Sequence, residues 1–290
     1  MKEKIFDTEF FKKLENISIK ATMSMTEGTA GGRKSKVKGS SVEFSDFREY
    51  SSGDDFRRID WNAYGRFDKL FVKLFMEERE ALINIFVDCS KSMDFGEKNK
   101  GAMALRISGI LTYFALNNLD RVCINKVQGN TLQQAYSYMG KSMFQSAIQF
   151  MERTEFEGST ILSEAIKKKD LKNRGISIII SDFFTTGSIE EMIKYLAYKK
   201  QQIIFVQVLC EEELAPALGG EVRLIDSETG EEVNISITPK LLKTYNSKLK
   251  AMSVVIKEGV KKYGGTFMQV SSSHPLEKIV FEQFAREGII

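Results

Sequence analysis

Leu82-Ile-Asn-Ile-Phe-Val-Asp-Cys-Ser-Lys-Ser-Met93 is an apolar run that stops at a cluster of oxygen-bearing side chains. Ile83, Ile85 and Val87 carry the run, which fits a strand buried on both faces, as in a parallel sheet. Asp88, Ser90 and Ser92 follow at its carboxyl end. In an open α/β sheet, ligands bind in the crevice beyond the carboxyl ends of the strands. Asp-x-Ser-x-Ser therefore stands where a site is expected. One carboxylate and two hydroxyls make a hard-oxygen set, suited to Mg²⁺ or Mn²⁺.

Downstream of this strand, helical and extended patterns alternate. Met103, Ile107, Ile110, Leu111 and Phe114 trace a helical stripe. Arg121 to Val127 reads as a strand, and the turn Gln128-Gly-Asn130 predicts an antiparallel hairpin to an edge strand over Leu132 to Met139. Lys141 to Glu152 reads as a helix. The loop Glu155-Phe-Glu-Gly-Ser-Thr160 then leads into a helix bearing Leu162, Ala165 and Ile166.

A second central strand, Ile176 to Ile180, ends in Ser181-Asp182, and Ser188-Ile-Glu-Glu191 is a capping box opening a helix. Ile203 to Leu209 is another buried strand. Val222 to Ile225 and Val233 to Ile237 flank Ser227-Glu-Thr-Gly-Glu231 as an inserted hairpin. Thr238-Pro239 starts a long helix to Tyr263, Phe267 to Val270 gives a last strand, and Pro275 opens a closing helix through Ala285. The expected fold is α/β: a Rossmann-like, doubly wound, mostly parallel sheet with an N-terminal extension and an inserted β-hairpin. The expected division is 1–79, holding a helix, a basic loop and an aromatic- and arginine-rich segment, and 80–290, holding the sheet.

Composition narrows the functional classes. The 290 residues are 42% hydrophobic and 28% charged, as in a globular protein, and the formal charge of +3 gives no nucleic-acid footprint. Cys89, Cys123 and Cys210 lack metal-ligand or CxxC spacing, which favours a reducing cytoplasm. Met1 to Met25 includes Glu3, Asp7, Glu9 and Glu15 without an uninterrupted apolar centre, so no signal peptide is read. The longest apolar runs fall well short of the roughly 20 residues that span a bilayer. The expectation is a cytoplasmic protein without an integral membrane segment.

Near the start, Thr8 is positioned to cap a helix in which Phe10, Leu14, Ile17 and Ala21 share a face. Glu27-Gly-Thr-Ala-Gly-Gly-Arg-Lys-Ser-Lys-Val-Lys-Gly39 is a glycine-rich basic loop, either solvated or a contact for phosphate or an acidic partner; it lacks the P-loop pattern. From Ser40 to Lys73, Arg48, Arg57, Arg58 and Arg66 are interleaved with Asp54, Asp55 and Asp60, and with Phe44, Tyr50 and Trp61. One reading pairs the arginines with the carboxylates while the aromatics anchor the segment on the sheet. The other makes Arg48, Tyr50, Arg57, Asp60, Trp61 and Arg66 a partner-binding surface, since Tyr, Trp and Arg dominate interface hot spots.

Two further loops add oxygen atoms to Asp88, Ser90 and Ser92: Thr160 after Gly158-Ser159, and Asp182 at the end of its strand. If those strands are neighbours, one crevice gathers all of them. Ser90, Ser92 and Thr160 would then bind a cation through hydroxyls, with Asp88 and Asp182 acting through water or as orienters, and a position open for a partner's carboxylate. The bland alternative is that the two aspartates cap helices and the serines satisfy loop amides.

Asp88-Cys-Ser-Lys-Ser92 with Thr160 and Asp182 resembles the metal-ion-dependent adhesion site of von Willebrand factor A domains, over roughly Ala81 to Gly288. Upstream, Gly39, Glu43-Phe44, Arg48, Tyr50, Gly53-Asp54, Arg57, Ile59-Asp60-Trp61 and Arg66 resemble the signature of the bacterial domain-of-unknown-function 58 family. Members of that family resemble accessory proteins of MoxR-type AAA+ ATPases. Five oxygen ligands with no activated nucleophile beside them point to a non-catalytic, metal-dependent adaptor that grips an acidic side chain of a partner, and the resemblance implies that it works with such an ATPase in complex assembly or maturation. A metal-dependent phosphohydrolase is the alternative, although the single histidine, His274, stands just before Pro275, where it is expected to begin the last helix.

Overall fold

The computed structural model describes residues 4–27, 43–76, 81–171 and 174–289. Two compact units share the chain: Met1–Ala30 with Ala81–Ile290, and Gly31–Glu80. Most of the basic loop, Gly28 to Gly39, lies outside the described residues.

Helix α1 spans Thr8–Glu27. Phe10, Leu14 and Ile17 fall on one face and are buried in the large unit's core; the side chain of Ala21 is outside the described set. The cap is Asp7 and not Thr8: its Oδ1 accepts from Phe10 N at 2.7 Å. Asp7 reaches the free amide that begins the helix, which Thr8, already helical, does not. A Cβ on Gly109 would meet the Phe6 ring at 2.8 Å and the Phe10 ring at 3.2 Å, so the glycine admits these aromatics. This burial groups α1 with the sheet and not, as its position suggests, with the segment that follows it.

The small unit pairs β1 (Glu43–Glu49) antiparallel with β2 (Phe71–Met76). Between them lie a short 3-10 turn, Phe56–Arg58, and helix α2, Trp61–Phe67. Asp60 caps α2, accepting from Asn62 N at 2.9 Å and Ala63 N at 3.3 Å.

In the large unit, β3 (Leu82–Asp88) leads through α3 (Lys100–Asn117) to β4 (Arg121–Gln128). The expected edge strand is present as two pieces, β5 (Thr131–Gln134) and β6 (Tyr138–Met139), both antiparallel to β4. Between them Ala135 N still donates to Ile124 O at 3.0 Å, so the edge is bent and remains attached. Then follow α4 (Phe144–Glu152), α5 (Leu162–Lys167), β7 (Gly175–Ser181), α6 (Ile189–Tyr198), β8 (Gln201–Leu209) and the one-turn α7 (Glu211–Leu214). A hairpin of β9 (Gly220–Ile225) and β10 (Glu232–Ile237) precedes α8 (Pro239–Lys262), β11 (Thr266–Ser271) and α9 (Leu276–Lys278), which continues as a π-turn over Ile279–Phe284.

The main sheet runs β11-β8-β7-β3-β4-β5, with parallel pairing from β11 through to β4. The architecture is α/β, doubly wound and mostly parallel, with the inserted hairpin. Alternation along the strands feeds two cores. Ile83, Ile85 and Val87 face α1, α3 and α9, whereas Phe86 and Ile179 face α5, α6 and α8. The chain leaves β3 toward the first face and β7 toward the second. β3 and β7 are neighbours, so a crevice opens between their carboxyl ends, the usual position for a ligand in this architecture.

Candidate metal centre

Asp88 closes β3 and Ser181 closes β7, one step beyond the paired residues Val87 and Ile180. Ser181 Oγ donates to Asp88 Oδ2 at 2.6 Å, and Ser90 N donates to Oδ1 at 3.0 Å. Asp88 is 3% exposed. Burial, with the negative charge of Asp182 adding to it, pushes its carboxyl up to about 6 against the pull of these hydrogen bonds. Asp88 and Asp182 thus repel each other at the end of the sheet.

Ser90 follows in extended backbone and opens a 3-10 turn, Lys91–Met93, that returns Ser92 to the same place: Ser90 Oγ and Ser92 Oγ are 2.9 Å apart. Ser92 Oγ donates to Asp182 Oδ2 at 3.3 Å, so the β3 and β7 loops meet through side chains. Asp182 is 1% exposed, and its Oδ1 accepts from Phe184 N at 2.9 Å.

Thr160 joins from a third loop through the backbone. Lys91 N donates to Gly158 O at 2.7 Å, Glu157 N to Cys89 O at 3.0 Å, and Thr185 Oγ1 to Thr160 O at 2.8 Å. Thr160 is 4% exposed, and its own Oγ1 has no hydrogen-bond partner. Leaving a hydroxyl buried and unpaired is costly, so this oxygen is suited to a ligand that would satisfy it.

Two side chains from polar stretches of the sequence complete the electrostatics. Lys100, at the start of α3, puts its Nζ 2.6 Å from Asp182 Oδ2 and 2.5 Å from Glu213 Oε1 on α7. Burial works against its ammonium, but Asp182 and Glu213 outweigh that and hold it above the usual lysine range. Asp182 and Glu213 share this one ammonium, and Asp88 stands beside them without a cation of its own among the described residues.

These residues fit a hard divalent cation. Both oxygens of Asp88 and both of Asp182 are already engaged by the protein. That leaves the carboxylates suited to orienting a ligand, and Ser90, Ser92 and the unpaired Thr160 as the hydroxyls that could bind one. Among the described residues no group of His, Cys, Asp and Glu is arranged to hold a metal by itself.

The six surface candidates of the small unit have separate fates. Arg48 pairs with Asp54 at 2.7 Å. Asp60 is buried, caps α2 and pairs with Lys73 at 3.2 Å, so it is occupied internally and not by an arginine. Tyr50 is half-buried. Arg57 lies 5.9 Å from the Phe56 ring centre, and Arg66 is exposed on the last turn of α2. Trp61 is 62% exposed and meets Tyr64 edge-on, so it is not an anchor. The side chains of Phe44 and Arg58 are outside the described set.

No helix among the described residues is long and apolar enough to cross a membrane. Among solved structures, the chain is similar to BatB from Bacteroides thetaiotaomicron, at 15% identity and TM-score 0.40 over 71% of this chain and 98% of that one. It is also similar to the SpRpn10 VWA domain, at 10% identity and TM-score 0.42 over 71% and 95%. A third likeness is proximal thread matrix protein 1 from the mussel byssus with a zinc-occupied MIDAS motif, at 10% identity and TM-score 0.38 over 72% and 45%. Among curated sequences, uncharacterized protein Rv1480 of Mycobacterium tuberculosis and uncharacterized protein Mb1516 of Mycobacterium bovis are each 22% identical over 244 residues, covering 82% of this chain and 77% of theirs. The family model described as protein of unknown function DUF58 matches residues 46–254, most of the chain from the small unit through α8. The chain belongs to the DUF58 family.

Proposed function

We infer that this chain is a non-catalytic protein-interaction module that grips an acidic side chain of a partner through a divalent cation, Mg²⁺ or Mn²⁺. Ser90, Ser92 and Thr160 would hold the ion, and Asp88 and Asp182 would orient it and the waters around it. The bound cation would supply a point of positive charge at the rim of the sheet. The observation that carries this reading is Thr160: a buried hydroxyl without a partner, in a loop stitched to the one that bears two further hydroxyls.

Calorimetric titration with Mn²⁺ tests it. Wild type should bind, and Ser90→Ala should bind on the order of tenfold more weakly or worse. Equal affinity in the two proteins would remove Ser90 from the site. For the partner, the family resemblance implies a MoxR-type AAA+ ATPase, while the oxygen set suits an acidic client and the cysteine usage a cytoplasmic setting. Co-purification of such an ATPase with wild type, and its loss with Ser90→Ala, is the expected result; an intact complex after that change would mean the cation does not mediate the contact.

A further inference from the structure

The β9–β10 hairpin is a poor fit to its surroundings. Leu224, Ile225 and Val233 are exposed, and within the turn Asp226, Ser227, Thr229 and Gly230 are exposed as well. Glu228 is the exception: it is half-buried at the tip. Asp226 shapes that tip, its Oδ1 accepting from Glu228 N and Thr229 N, each at 2.8 Å. The Glu228 carboxylate lies near the Ser92 and Ser90 hydroxyls and close enough to Asp182 to feel its charge. Asp182 already shares the Lys100 ammonium with Glu213, so a further carboxylate beside it is unfavourable unless another cation lies between them.

Resting on the cation reading above, we propose that this hairpin is a built-in ligand of the centre: Glu228 offers from within the chain the carboxylate that an acidic partner would otherwise bring. A partner must then displace the hairpin to reach the ion. The arrangement fits the hairpin's exposed strands, which leave it free to swing away without uncovering a core. It also gives the insertion a role in selectivity, since only a carboxylate presented better than Glu228 would win the position.

The test uses the full chain and Mn²⁺ alone, followed by acetate as a bare carboxylate probe. Calorimetry reads affinity, and water-proton relaxation per bound Mn²⁺ reads how many waters the ion keeps. Glu228→Gln should weaken Mn²⁺ binding about tenfold and raise the relaxation, as water enters the vacated position. Acetate should lower that relaxation in Glu228→Gln and leave wild type unchanged. Glu231→Gln, an exposed change in the same turn, should match wild type throughout. If wild type binds Mn²⁺ but Glu228→Gln matches it in affinity, relaxation and response to acetate, the built-in ligand is overturned while the cation site stands. If wild type binds no Mn²⁺, the cation site falls and this inference with it.

Discussion

Lys100 Nζ sits 2.6 Å from Asp182 Oδ2, and both side chains are 1% exposed. An ion pair this deep depends on both partners. Its attraction offsets two desolvation costs, and removing one side leaves the other charge stranded. The ammonium also holds Glu213 of α7 against the start of α3, joining two elements distant in sequence. One lysine therefore fixes the position of a proposed orienting carboxylate and limits the negative charge that the centre presents.

Lys100→Met keeps the length of the side chain and removes the charge. In chelator-treated protein it should cost about 3–5 kcal/mol in urea unfolding, because Asp182 and Glu213 are left facing each other. Millimolar Mg²⁺ should return part of that loss, since a cation that binds only the folded state stabilises it by mass action, by about 2.7 kcal/mol at a hundredfold excess over Kd. A variant as stable as wild type without metal would show that the ion pair is not needed to hold α3 and α7 at the centre.

Asp88 yields a prediction about pH. Its carboxyl is raised from 3.8 to about 6, by burial first and the charge of Asp182 second. The folded chain thus holds this proton more tightly than the unfolded chain. The sign follows: between pH 4 and 6 the unfolded state releases the proton first, so this residue makes the metal-free protein lose stability as pH rises through that window. A rise of this size corresponds to about 3 kcal/mol. Asp88→Asn, which cannot ionise, should lack this loss and be the more stable protein above pH 6 in chelator. Urea unfolding of both proteins at pH 4 and pH 7 measures the difference; parallel profiles would show that Asp88 ionises as readily folded as unfolded.

The strand ends were legible because hydrophobic runs and their stopping points are local properties. Ile83 to Asp88 and Ile176 to Asp182 needed only a window of a few residues, and the parallel sheet followed from the helical stripes between them. Lys100 and Glu213 were not legible. Each lies in a polar stretch that reads as solvated surface, Glu97-Lys-Asn-Lys100 and Glu211-Glu-Glu213. Only the return of β8 beside β7 brings α7 over the start of α3. Glu228 was hidden in the same way, as one charge among several in a turn. Ser181 was visible beside Asp182, but its hydrogen bond to Asp88 depends on the register of two strands more than 90 residues apart in sequence. Asp60 misleads for the opposite reason: its neighbours Arg57 and Arg58 suggest ion pairs, while the local demand of the α2 amides decides its use.

Trp61 supplies a spectroscopic check on the small unit. It is the sole tryptophan and is 62% exposed, with Tyr64 edge-on at 6.3 Å. Native protein should emit at a water-exposed wavelength and be quenched by acrylamide nearly as well as free indole. Trp61→Ala should change unfolding free energy by about 0.5 kcal/mol or less, as for other exposed side chains. Blue-shifted, quencher-resistant emission would place the indole in a contact. Addition of a partner that uses this surface should produce that same shift.

Thr160→Val separates a ligand from a bystander. Valine keeps the β-branched shape of threonine and puts a methyl where the hydroxyl was. In the folded chain that hydroxyl is buried and makes no hydrogen bond, so without metal its removal should be neutral or stabilising by up to about 1 kcal/mol. With Mn²⁺ the sign should reverse: wild type should gain melting temperature as the ion is added and the variant should gain less, with affinity reduced on the order of tenfold. Crossing of the two melting curves with metal concentration is the expected signature. A variant that gains as much as wild type at every Mn²⁺ concentration would mean that Thr160 is buried for packing alone and that the ion, if held, rests on the serines.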